Sequence, residues 1–147
     1  MNILVSACLL GVNCRYCGTA CPGDGVKDLA DRYRLIPVCP EQLGGLPTPR
    51  PPAELRGGKV ITASGSDVTE EYCRGAHEAL KLAELFGCRC AILKSRSPSC
   101  GFGQVYDGTF SGKLVPGSGI TASLLHKSGL TVLNEENARA ELQESIK

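Results

Sequence analysis

Along these 147 residues, short apolar runs rich in β-branched side chains alternate with stretches whose apolar residues recur at helical spacing. That alternation predicts the α/β class, because parallel strands need crossover connections that lay helices against the faces of the sheet. The expected architecture is a three-layer, Rossmann-like sandwich with a mainly parallel sheet of four or five strands, spanning residues 1–147 as one domain. Composition agrees: 42% hydrophobic and 21% charged residues describe a globular chain, and this length buries roughly two-thirds of the unfolded surface.

The first strand is "NILVSA", Asn2 to Ala7, short, apolar and closed by a loop. Val26, Leu29, Ala30 and Tyr33 keep a helical period, so a short helix is expected near residues 25–33. "RLIPVC", Arg34 to Cys39, is the second strand. The next segment, "PEQLGGLPTPRPPAELRGG", packs five prolines and four glycines into 19 residues and reads as a long functional loop without regular structure. "KVITASGSDVT" suits a small ribbon. The clearest helix covers about residues 68–86, with Asp67 as its cap, Val68, Tyr72, Ala76, Leu80 and Ala83 on one face, and Gly87 as its stop. "CRCAILKS", Cys88 to Ser95, is the third strand, and it places Cys88 and Cys90 on the same side. "SRSPSCGFGQVYDGTFSG" has four serines and four glycines around Cys100 and reads as a polar loop. "GITASLLHKSG" is a helix capped by Ser118 and ended by Gly129. "LTVLN" is the fourth strand, and Asn134 caps a polar C-terminal helix.

Sixteen basic against fifteen acidic residues give a net charge of +1, with no basic run of the kind that grips phosphates. No stretch approaches the ~20 apolar residues of a membrane span. The start lacks the positive region of a signal peptide, so a cytoplasmic location is expected.

Nine cysteines are the anomaly. Without an export signal they point to metal or redox chemistry more than to disulfides. Parallel sheets bind ligands beyond the carboxyl ends of their strands. Cys8 follows strand one, Cys39 ends strand two, and Cys100 follows strand three by a loop, so all three fall on one edge. Three thiolates there suit zinc with an open position or an iron–sulfur cluster; burial as packing thiols is the plainer alternative. Cys14, Cys17 and Cys21 resemble the end of a ferredoxin ligand run and leave open an electron-transfer or sulfur-carrier role. A zinc-stabilised interaction module is a further alternative. Cys73, His77 and His126 lie on helices without ligand-spaced partners.

The motifs "VSACLLGVNCRY", "PVCPEQLGGLPTPRPPAE", "AILKSRSPSCG" and "YDGTFSG" together resemble the thiouracil desulfurase family, formerly domain-of-unknown-function family 523. The resemblance implies a 4Fe–4S cluster on Cys8, Cys39 and Cys100, with one iron lacking a protein ligand. It implies removal of sulfur from a thiolated pyrimidine, as nucleobase or nucleoside, and matches Glu41 and Ser97 to catalytic positions. Ser99, Gly101 and Arg50 belong to the substrate or cluster environment on this reading, Arg50 as an anchor for a substrate oxygen or for the loop. Where the family has Arg-Tyr-Asp-Gly this chain has "RYCG", so Cys17 stands in place of an acid.

Overall fold

A computed structural model describes residues 1–23 and 25–144. Four strands form the central sheet: β1 (Asn2–Ser6), β2 (Arg34–Val38), β5 (Cys90–Leu93) and β8 (Thr131–Asn134). Their order is β2-β1-β5-β8, and every pairing is parallel. β2 lies at an edge, which explains how it tolerates Pro37, a residue with no N–H for a ladder.

Side chains alternate across the sheet and divide the core in two. Ile3, Val5, Cys90 and Ile92 pack on one face with Leu9, Val26, Leu133 and Leu142. Leu4, Ala91 and Leu93 pack on the other with Ala79 and Ala83 of α2 (Thr69–Leu85) and Ala122 and Leu125 of α3 (Ile120–Lys127). The first face is covered by 3-10 turns at Ala7–Leu10 and Lys27–Asp31 and by α4 (Ala138–Glu144). This is the expected three-layer sandwich, with four parallel strands. No described helix is long and apolar enough to cross a membrane.

Several local expectations change. The helix near 25–33 is a 3-10 turn. The proline-rich segment is not devoid of regular structure. Pro40, preset for a first helical position, opens the single-turn α1 (Pro40–Leu43), and β3 (Ala53–Arg56) pairs antiparallel with β4 (Lys59–Thr62). The polar loop around Cys100 continues into a hairpin of β6 (Gln104–Tyr106) and β7 (Leu114–Pro116). Cys88 lies before β5 and packs on the opposite face from Cys90, because strand alternation begins only at Cys90. Ser118 does not cap α3; its hydroxyl accepts the Gly103 N–H. Asp67 does accept the Thr69 amide at the entrance of α2, and Asn134 accepts two amides before α4.

Candidate functional site

The chain runs from β1 outward to β2 and then back across β1 to β5. Strand order therefore reverses between β1 and β5, and a crevice opens there at the carboxyl edge. A cavity of about 390 Å³ occupies this edge, lined by Cys8, Cys39 and Cys100 and also by Cys14. Cys8 sits in the 3-10 turn after β1, Cys39 directly follows β2, and Cys100 closes the loop after β5. Burial, reinforced by the neighbouring thiols, pushes Cys8 up to about 12. Burial likewise pushes Cys100 up to about 11. These thiols are protonated at neutral pH, and a metal would displace the protons. Among the described residues no group of three His, Cys, Asp or Glu closes tightly enough to hold one metal ion. The thiols surround a space and do not meet at a point.

Glu41, in the first turn of α1, lies on the cavity wall with three hydrogen bonds to its carboxylate, which leaves one lone pair on Oε1. Oε2 accepts Nε of Arg50 at 3.0 Å and also its Nη2; Oε1 accepts the Tyr72 hydroxyl at 2.6 Å. Arg50 is 8% exposed. Its remaining donors go to the carbonyls of Pro47 and Cys14 and to the Thr48 hydroxyl. A guanidinium has five N–H donors, and all five are committed. Arg50 therefore ties the proline-rich loop to Glu41 and to the Cys14 turn, and has no donor left for a substrate oxygen. Burial works against its charge, but Glu41 outweighs burial and raises its pKa. The tyrosine hydroxyl is pushed far above its ordinary value by burial and by the adjacent carboxylate.

Tyr72 reaches Glu41 because α1 lies directly on α2. A Cβ at Gly75 would stand 1.8 Å from the Pro40 carbonyl oxygen, and one at Gly44 would stand 1.9 Å from that of Glu71. Both crossing points need glycine for close backbone approach.

Ser97 Oγ accepts the amides of Ser99 at 3.0 Å and Cys100 at 2.7 Å, which folds the loop that presents Cys100. Ser99 and Gly101 are not on the cavity wall. Ser99 is 1% exposed and bonded to Thr121 of α3, with its Oγ 3.8 Å from the Cys100 sulfur. Gly101 lies where a Cβ would meet the Ser97 oxygen at 2.7 Å, so it serves the tight turn.

Cys14, Cys17 and Cys21 are not gathered into a site of their own. Cys14 is buried in the cavity wall beside Cys39, whereas Cys17 is exposed and bonded to the Thr19 hydroxyl at 2.9 Å. Sequence reasoning placed Tyr72 only on the packing face of its helix and gave no cavity role to Lys94, Tyr106 or Phe110, which also line the wall. The glycine three residues after Tyr72, opposite the "PEQLGG" turn, is the signal that marks the close helix crossing.

Residues 3–137 match the 2-thiouracil desulfurase family. The chain is 47% identical to the uncharacterized protein YbbK of Bacillus subtilis (strain 168), over 90% of this chain and 95% of that relative. It also superimposes on the solved structure of the 4Fe–4S-dependent thiouracil desulfidase TudS with a TM-score of 0.90, at 45% identity over 99% of each chain. The protein whose strand ends bring these thiols together belongs to the 2-thiouracil desulfurase family.

Proposed function

We propose that the protein removes sulfur from a thiolated pyrimidine, a nucleobase or nucleoside of the thiouracil kind, releasing sulfide and the oxo compound. The donor set suits a 4Fe–4S cluster, because three thiols carried on separate loops surround a shared space. Cys8, Cys39 and Cys100 would hold it and leave one iron without a protein ligand. When bound, such a cluster supplies a soft Lewis-acid position suited to a thiocarbonyl sulfur.

The side chains supply the proton transfers. Water delivers its oxygen to the ring carbon, the carbon–sulfur bond breaks, and sulfur leaves as sulfide with no change in oxidation state. Glu41 is the base for that water, and Arg50 and Tyr72 fix its carboxylate in place. Ser97 has both lone pairs occupied by the Ser99 and Cys100 amides, so its own proton is what it offers. It therefore acts as hydrogen-bond donor to the departing sulfur, not as base, and the proton that Glu41 takes from water is the one the sulfide carries away.

The observation that carries this reading is the meeting of three thiols with the Glu41–Arg50–Tyr72 group in one cavity. Anaerobic purification, iron and sulfide analysis and a sulfide-release assay on thiouracils test it. Glu41→Gln is expected to keep its iron while turnover falls by roughly 10²–10⁴-fold, the range for losing a general base. Cys100→Ala is expected to lose iron and turnover together. Full turnover in Glu41→Gln would remove Glu41 from the mechanism.

A further inference from the structure

The "YDGTFSG" turn has no role in the chemistry above, yet four hydrogen bonds tie it to β3 beside the cavity. Glu54 of β3 accepts the amides of Gly108 at 3.0 Å and Phe110 at 3.1 Å through one oxygen. Arg56 of the same strand donates to the Gly108 carbonyl, at 3.1 Å from Nε and 2.5 Å from Nη2. Gly108 lies so close to β3 that a Cβ would stand 2.7 Å from the Leu55 oxygen. Inside this clasp Phe110 has a φ of +57°, a left-handed conformation that a bulky side chain adopts only when its surroundings impose it.

The ring is not spent on the core. Phe102 packs against the α2–α3 side of the core, but Phe110 belongs to neither hydrophobic cluster. It is half-buried and lines the cavity that holds the three thiols and Glu41. An imposed backbone conformation that sets an aromatic residue in a cavity wall serves whatever enters the cavity. A flat heteroaromatic ring is the ligand such a wall suits, because base–aromatic stacking depends on the π-face and not on hydrogen-bonding groups.

We propose that Phe110 is the platform on which the pyrimidine ring of the substrate stacks, with Glu54 as the residue that positions it. The inference rests on the desulfurising reading of the cavity and adds to it the selection of a planar aromatic thione. Stacking holds the ring in substrate and product alike, so Phe110 acts on binding and not on the chemical step.

The test uses the iron-loaded protein and a second readout that needs no turnover. In Phe110→Leu, KM for thiouracil is expected to rise roughly tenfold or more while kcat changes little, and competition by uracil is expected to weaken in parallel. Phe110→Tyr should restore both. Glu54→Ala should raise KM in the same direction, and the double variant with Phe110→Leu should be no worse than Phe110→Leu alone, since Glu54 acts through the ring. The chain has no tryptophan, so Phe110→Trp introduces a single indole, excited apart from the four tyrosines, whose emission thiouracil should quench. Turnover with an unchanged KM in Phe110→Leu would overturn the stacking role and leave the desulfurase reading standing. Quenching in Phe110→Trp without sulfide release from the wild-type protein would do the reverse.

Discussion

At the scale of single residues, the pairing of Glu41 with Arg50 and Tyr72 decides how the cavity behaves. A buried ion pair is weak evidence of net stability, but removing one partner strands the other charge. Arg50→Met is accordingly expected to cost about 3–5 kcal/mol in chemical denaturation. Tyr72→Phe deletes one hydrogen bond to a charged group and should cost less, about 1.5–3 kcal/mol. Both should lower sulfide release, and iron content separates the two: Tyr72→Phe keeps its cluster. Arg50→Met also releases the Cys14 carbonyl and the proline-rich loop beside Cys39, so it should load less iron. Equal stability losses in the two variants would mean that the guanidinium network is not what holds the loop. The three cysteines were legible in the sequence because their residue type and their places after strands announce chemistry, and Glu41 only through the family's motif. Tyr72 was not, since a tyrosine at helical spacing looks the same whether its hydroxyl faces a carboxylate or water. For Arg50 the sequence left two roles open, and only the count of its five committed donors chooses between them.

Among the elements, the short contact between α1 and α2 carries the most consequence. Gly75 lies inside a 17-residue helix, where alanine ordinarily stabilises by about 0.5–1 kcal/mol. Here the new methyl would stand 1.8 Å from a backbone oxygen. Gly75→Ala is therefore expected to destabilise by about 1–3 kcal/mol, the usual cost of overpacking. It should also lift α1 away and weaken the Tyr72–Glu41 hydrogen bond. A urea titration beside the sulfide-release assay checks both effects; a gain in stability would show that α1 can shift freely. The same elements mark where sequence reading stops. The four parallel strands and α2 were visible because burial on one or both faces writes a strong pattern. The one-turn α1, β3 and the β6–β7 hairpin were not. Each is three or four residues long, too short for a period, and the glycines and prolines around them signal irregular chain.

Across the whole molecule, the loop that leaves β5 for Cys100 is tied to the chain leaving β8 by one carboxylate. Glu135 accepts the Ser95 amide at 2.8 Å and the Ser95 hydroxyl at 3.0 Å, and it pairs with the Lys94 ammonium at 2.9 Å. Burial pushes this carboxyl upward, but the hydrogen bonds from Lys94 and Ser95 outweigh burial and hold it below its ordinary value of 4.5. The sign follows from linkage. A carboxyl whose pKa is lower folded than unfolded stabilises the fold fully above the unfolded value, and that contribution fades as pH falls through the folded one. Lys94 lines the cavity, so the tie also fixes part of its wall. Glu135→Gln keeps the shape and removes the charge. At neutral pH its urea midpoint is expected to lie below that of the wild-type protein, and the gap should narrow steadily as pH drops below about 4.5 and close once the carboxyl is protonated in both states. A gap that persisted undiminished well below that pH would mean that the carboxylate's charge is not the source. The tie would then act through hydrogen bonds that the amide cannot reproduce, and the β5–β8 edge would hold the Cys100 loop equally well in acid.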